Sequence, residues 1–187
     1  IKVRSISNTN LIDQFASKAK ENGGKVFLAK TGDDVIKYVL DITKRTNSKL
    51  IVKSKSLTSE EIEFNHAFEK EKIRIIETDL GELVCQLLHE TPVHLVMPAV
   101  HKSAEDIAEV FSKEYNEEIK PNPETILKAV RKHLRPIFLS ADIGVSGANV
   151  GIAETGSIIV ETNEGNARLI TSIPKIHVVL IGMEKIV

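Results

Sequence analysis

Three short segments carry most of the side chains able to do chemistry, each directly after an apolar, β-branched run. Lys53-Ser54-Lys55-Ser56 follows Leu50-Ile51-Val52, Glu77-Thr78-Asp79 follows Ile73-Arg74-Ile75-Ile76, and Pro98-Ala99-Val100-His101-Lys102 follows Val93-His94-Leu95-Val96-Met97. If the three runs are parallel strands, these segments share one sheet edge, where α/β proteins bind ligands. Lys53, Ser54, Lys55, Ser56, Glu77, Thr78, Asp79 and Lys102 would then line a pocket for a small anion or polar metabolite. His101 would be placed to act as a base. Each residue also has a plain alternative. Lys53 and Lys55 in such loops are most often solvated charges, Ser56 and Asp79 read as helix caps, and His101 as a surface residue.

A second constellation runs from Gly144 to Gly156 and includes Gly147, Asn149, Gly151, Glu154 and Thr155. Glycines let backbone N–H groups approach a ligand closely and can cradle an anion. Glu154 between two apolar runs is either a catalytic carboxylate or a structural acceptor. The polar turn that follows holds Asn163, Glu164, Asn166 and Arg168. Arg168 could grip a carboxylate at two points or pair with Glu161 or Glu164. The stretch lacks Gly-x-Gly-x-x-Gly and has no Gly-Lys-Ser/Thr, so neither a dinucleotide fingerprint nor a phosphate loop is present. The alternative is a set of tight turns between strands. The histidines show no metal-ligand spacing, and no serine nucleophile elbow occurs.

These groups need a scaffold, and the apolar periodicity supplies one. Strands are expected at 26–29, 50–52, 73–76 and 93–97, alternating with helices over 31–46, from Ser59 to about 72, after the Asp79 cap and after the Ser103 cap. Asp79 and Glu82 have capping-box spacing. The fold class that follows is α/β, a parallel sheet flanked by helices. Beyond Tyr115 the pattern changes. A helix is expected over roughly 124–134, and then strands at 156–161, 168–171 and 177–181, giving a β-rich, partly antiparallel C-terminal portion. The expected layout is a single domain over 1–187, with a parallel half at about 24–115, a helical insert and Gly-rich loop at about 116–148, and a β-rich half at about 149–187.

Composition sets outer bounds. Hydrophobic residues make up 42% and aromatics 4%, so the core must be aliphatic. A net charge of −1 gives no basic face for nucleic acid. Cys85 is the only cysteine, which excludes an internal disulfide and a four-thiolate cluster within this sequence and suggests a reducing, cytoplasmic setting. No apolar run is long enough for a transmembrane helix. The start at Ile1-Lys2-Val3 offers no signal-peptide core; lacking Met there, and with Glu184-Lys185-Ile186-Val187 ending a strand-like run, the sequence is expected to belong to a longer protein.

Six stretches in order, namely 53–56, 77–82, 98–102, 147–156, 162–166 and 182–185, with Gly151-Ile-Ala-Glu-Thr-Gly156 the most specific, resemble the LUD domain of lactate-utilisation proteins. They are most similar to the B-type branch of that family, its iron–sulfur component. The resemblance implies a sugar-isomerase/CoA-transferase-like α/β fold and a part in electron transport and L-lactate oxidation to pyruvate. It also implies an oxidoreductase complex with the A and C subunits of the lactate-utilisation system, and [4Fe–4S] clusters in a downstream segment absent from this sequence. On that basis Glu154 and His101 are the expected catalytic pair. Lys53, Asn166 and Arg168 are expected to bind lactate or a related small acid; in related folds a Glu near a Gly-rich loop can be a covalent nucleophile. A docking scaffold without catalysis, or a stand-alone transferase or isomerase, are the competing expectations.

Overall fold

A computed structural model describes residues 9–94, 96–162 and 164–187. Helix α1 (Thr9–Glu21) is followed by α2 (Gly32–Thr46). Thr31 opens α2 with a reciprocal capping box to Asp34 and left-handed Asn47 closes it. Then come β1 (Leu50–Lys53), α3 (Leu57–Glu61), α4 (Phe64–Lys70), β2 (Arg74–Glu77) and α5 (Leu80–Leu88). Helices α6 (Ala104–Tyr115) and α7 (Pro123–Ser140) lead to β3 (Ile143–Gly147) and the hairpin strands β4 (Val150–Ile152) and β5 (Ser157–Ile159). The chain closes with α8 (Asn166–Ser172), β6 (Ile176–Leu180) and a 3-10 turn at Met183–Lys185.

The central sheet has the order β2-β1-β3-β6 and every pairing is parallel. Because side chains alternate along a strand, Ile51 and Val52 feed opposite cores. On one face Ile51, Ile75, Ile143 and Val145 pack with Val39 of α2 and Phe64 and Phe68 of α4. On the other, Val52 joins Leu83 and Val84 of α5, Phe111 of α6, Val130, Leu134 and Phe138 of α7 and Ile170 of α8. Each fully buried side chain of this size contributes about 1.5–3 kcal/mol. The antiparallel hairpin β4–β5 packs separately, with Ala153 against Phe15 of α1 and Ile186.

The mixed α/β class and the parallel, helix-flanked sheet are as the sequence predicts, but two strands come from elsewhere in the chain. Residues 26–29 form no strand, and none of the described residues of 93–97 does either; Leu95 lies outside the described residues. For 93–97 the physical reason lies at the edge of β2. Gln86 of α5 accepts from Glu77 N at 3.0 Å and donates to Ile75 O at 2.9 Å, so its amide occupies the edge that a strand following α5 would have to pair with. The apolar run, bounded by Pro92 and Pro98, stays on the surface, with Val93, Val96 and Met97 more than half exposed.

The places are filled by β3, read above as a glycine loop, and β6. At Gly144 an added Cβ would lie 2.0 Å from Ile170 O, so the glycine lets α8 sit directly on β3. Residues 168–171, expected as a strand, belong to α8. The expected helix from Ser59 to about 72 begins earlier, at the Ser56 cap, and breaks at Glu63, whose φ is 50°. Helix α7 runs past Leu134 to Ser140. No helix among the described residues is long and apolar enough to cross a membrane.

Candidate functional site

The carboxyl ends of β1 and β2 are tied together by backbone and side chain. Lys53 O accepts from Thr78 N at 2.9 Å and from Thr78 Oγ1 at 2.8 Å. Ser54 N donates to Val145 O at 3.0 Å, fixing the loop after β1 to β3. Behind this edge lies a buried polar cluster. Lys53, the largest of the fully buried side chains, pairs with Glu77 Oε1 at 2.9 Å and donates to Ser59 Oγ at 3.0 Å. Asn65 Nδ2 donates to the same Glu77 oxygen at 2.6 Å. Ser59 Oγ in turn donates to Ser56 O at 2.6 Å, and Ser56 Oγ caps α3. A buried charge is tolerable only when paired and hydrogen-bonded in this way.

Lys55 and Glu82 complete the cluster less fully. Lys55 Nζ stands 3.5 Å from Glu82 Oε1, an ion pair without a hydrogen bond. The sequence suggests a capping box here, and half of it is made: Asp79 Oδ1 accepts from Gly81 N and Glu82 N. The Glu82 side chain does not close the box and faces Lys55 instead. Burial first, then the Glu60 and Glu77 carboxylates, push the Glu82 carboxyl up to about 7, against the pull of Lys53 and Lys55. Of the six buried side-chain polar atoms left without a hydrogen-bond partner among the described residues, five belong to this cluster: Lys55 Nζ, Glu60 Oε1, Asn65 Oδ1, Glu77 Oε2 and Glu82 Oε1. Native interiors rarely leave such atoms unpaired, so their concentration marks the region.

The segment before α8 lies across the same edge. Asn166 Nδ2 donates to Thr78 Oγ1 at 3.1 Å and Glu164 Oε2 accepts from Leu80 N at 3.2 Å. Desolvation, then the neighbouring Asp79 carboxylate, raise the Glu164 carboxyl above its ordinary range. Gly147 approaches from β3; an added Cβ would lie 2.9 Å from Ser56 Oγ. The structure thus brings together Lys53, Ser54, Lys55, Ser56, Glu77, Thr78, Asp79, Gly147, Glu164 and Asn166. Lys53 is not a rim charge but a buried one.

Other expected residues stand apart. His101 Nε2 and Lys102 Nζ both meet Glu90, at 2.8 and 2.6 Å, beyond the far end of α5. The helix from Glu82 to its end at Leu88 alone spans about 9 Å at the helical rise. Glu154 is exposed in the β4–β5 turn and has no hydrogen bond or ion pair among the described residues. Thr155 and Gly156 dock that turn on α1: Asn22 Nδ2 donates to Thr155 O at 2.8 Å, and Gly156, with φ of 67°, lies on the Lys18–Ala19 backbone. Asn149 Oδ1 accepts from Glu161 N at 2.8 Å, closing the hairpin. Arg168 is exposed on α8, its carbonyl accepting from Thr171 Oγ1 and its side chain making no contact with the cluster among the described residues. Asn163 lies outside the described residues.

Sequence reasoning missed Ser59, Glu60, Asn65 and Glu82 as members of the cluster. One signal was available for Glu82: it is the only charged residue in the helix Leu80-Gly-Glu-Leu-Val-Cys-Gln-Leu-Leu88.

The residues do not fit an iron–sulfur cluster. Cys85 is the only cysteine, it is buried, and burial followed by the Glu82 and Glu90 carboxylates pushes its thiol up, away from the thiolate a cluster needs. Among the described residues no group of three or more His, Cys, Asp or Glu is placed to hold a metal ion.

Fold and site together define a parallel α/β domain with a charge-paired polar cluster at the carboxyl edge of its sheet. The chain belongs to the LUD domain family, which it matches over residues 12–187. It is similar to the uncharacterized electron transport protein YkgF of Escherichia coli (strain K12), 43% identical over 92% of this chain and 36% of that protein. It is also similar to lactate utilization protein B of Bacillus licheniformis, 44% identical over 94% of this chain and 37% of the relative. The protein of the same name from Bacillus subtilis (strain 168) is 43% identical over the same shares. The chain therefore spans little more than a third of the length of these relatives. No solved structure matches it.

Proposed function

We propose that this chain is the substrate-side domain of a lactate-utilisation protein and takes a small carboxylic acid, such as lactate or pyruvate, at the carboxyl edge of β1 and β2. The relatives' names support the lactate-utilisation role. The observation that carries the ligand class is Lys55, whose ammonium is shielded from solvent and lacks a hydrogen bond while its side chain is 22% exposed. A shielded ammonium without an acceptor costs free energy that a bound carboxylate would offset. The neighbouring Ser54 hydroxyl likewise makes no hydrogen bond among the described residues and is free to take a ligand oxygen. Electron transfer and the iron–sulfur centres would be supplied elsewhere in the system, with its A and C subunits as partners.

Calorimetric titration of lactate and pyruvate into the protein and its K55M variant tests this reading. Binding that weakens at least tenfold in K55M, with the thermal midpoint preserved, is expected. Equal binding by both proteins would discard the site. One observation favours a second reading, a docking module: the 93–100 segment exposes Val93, Val96, Met97 and Val100. Capture of partner subunits, abolished by V96D/M97D, with no heat from either acid would select it.

A further inference from the structure

The cluster around Lys55 is rich in carboxyls, which bears on how it could accept an anion. Lys53 and Lys55 are its ammoniums. Against them stand Glu77 from β2, Glu60 from α3, Glu82 from α5, and the Asp79–Glu164 pair at the outer edge. Lys53 is committed to Glu77 at 2.9 Å. Lys55 alone is without a hydrogen bond, and the Glu82 carboxyl is 3.5 Å from it and almost wholly buried. The Cys85 thiol, one turn along α5, is the remaining titratable group near Glu82.

A carboxylate can reach Lys55 Nζ in two ways. It can join Glu82 there, so that two carboxylates share one ammonium, or it can draw the part-exposed Lys55 side chain outward and leave Glu82 buried without its nearest cation. Both arrangements disfavour an ionised Glu82. Resting on the reading of the site given above, we propose that the cluster binds a small carboxylate together with one proton, and that Glu82 receives that proton. The bound pair is an anion on Lys55 beside a neutral Glu82 carboxylic acid, which can donate its proton to an oxygen of the ligand. No bond of the ligand is broken, and the proton comes from solvent.

In the unliganded protein the Glu82 carboxyl is held at about 7, so the uptake depends on pH. It approaches one proton near pH 8, about half a proton near pH 7, and none near pH 5.5, where the acid is already protonated. Affinity for the anion should accordingly fall about tenfold from pH 6 to pH 8.

Calorimetry of pyruvate in buffers of different ionisation heat, free of phosphate, reads the proton directly. The expected result is a buffer-dependent heat at pH 8 that disappears at pH 5.5 and is absent from E82Q at both. Pyruvate binding without buffer dependence, or with the same dependence in E82Q, would overturn the proposal and leave the binding site standing. No pyruvate heat at any pH would overturn both. Should E82Q fail to fold, carbon-13 titration of labelled glutamates in the unaltered protein serves instead. The Glu82 Cδ midpoint rises by at least two pH units when pyruvate saturates, and an unchanged midpoint refutes the assignment.

Discussion

Replacing Glu82 by Gln should make the protein more stable at alkaline pH while leaving it unchanged in acid. The carboxyl is held at about 7 against an ordinary value of 4.5, burial being the main cause. A carboxyl raised in the folded state keeps its proton where the unfolded chain has lost it, so stability falls as pH rises through that interval and levels off above it. The interval is about 2.5 units, and at 1.36 kcal/mol per unit the cost carried by the ionised form is about 3 kcal/mol at pH 8. Gln is uncharged at every pH and close in shape to the protonated acid, so E82Q avoids that cost. For a domain of this size about 1 kcal/mol moves the midpoint by 2–4 °C, giving an expected gain of about 6–12 °C at pH 8 and none near pH 4.5. Thermal unfolding followed by circular dichroism at both pH values reads the difference directly. A gap between E82Q and the unaltered protein that is the same at both, or a lower midpoint for E82Q at pH 8, would refute the reasoning.

Further predictions concern the same framework. K53M should leave the Glu77 carboxylate buried without its cation and cost about 3–5 kcal/mol in urea unfolding, most of it recovered in K53M/E77M. G144A should place a methyl group 2.0 Å from Ile170 O and force α8 off the sheet, costing about 3 kcal/mol or more; an unchanged urea midpoint would show that α8 is not held there. His177, whose imidazole burial pushes below its ordinary range and whose Nε2 lies 2.8 Å from Ser146 Oγ, should titrate below 6.5 by NMR. Its contribution to stability is then lost as pH falls below that ordinary value.

The parts of the fold legible in the sequence are those where local chemistry and packing agree. The helix start at residue 31, the Asp79 and Ser103 caps and the runs at 50–52 and 73–76 all locate elements close to where they lie. In each failure the deciding contact or turn lies outside the misread segment. Gly-Val-Ser-Gly reads as a turn, yet Gly144 is a glycine because Ile170 O occupies the space of a side chain. The β-branched stretch before Ile173 reads as a strand, yet it follows Gly165, which has φ of 78° and turns the chain into α8. The apolar run at 93–97 has strand composition, but Gln86 has already occupied the edge of β2.

The site divides in the same way. The rule that parallel strands present their following loops at one edge correctly joins 53–56 to 77–79. It fails for 98–102, where the preceding run is not a strand. Pro98 does pack beside Gly81 at the start of α5, but His101 and Lys102 turn to Glu90. Nothing local distinguishes the buried Lys53 from the part-exposed Lys55 two residues later. Strand alternation turns Lys53 inward to Glu77, a pairing that depends on the register of β1 with β2.

A backbone NMR titration with pyruvate at pH 6 examines the ligand mouth most directly. Amide shifts at Lys55, Thr78, Gly81, Glu82 and Asn166 that saturate together, and vanish in K55M, are the expected outcome. Shifts confined to the Glu154 turn or to the 93–103 segment, or the same shifts in K55M, would contradict it.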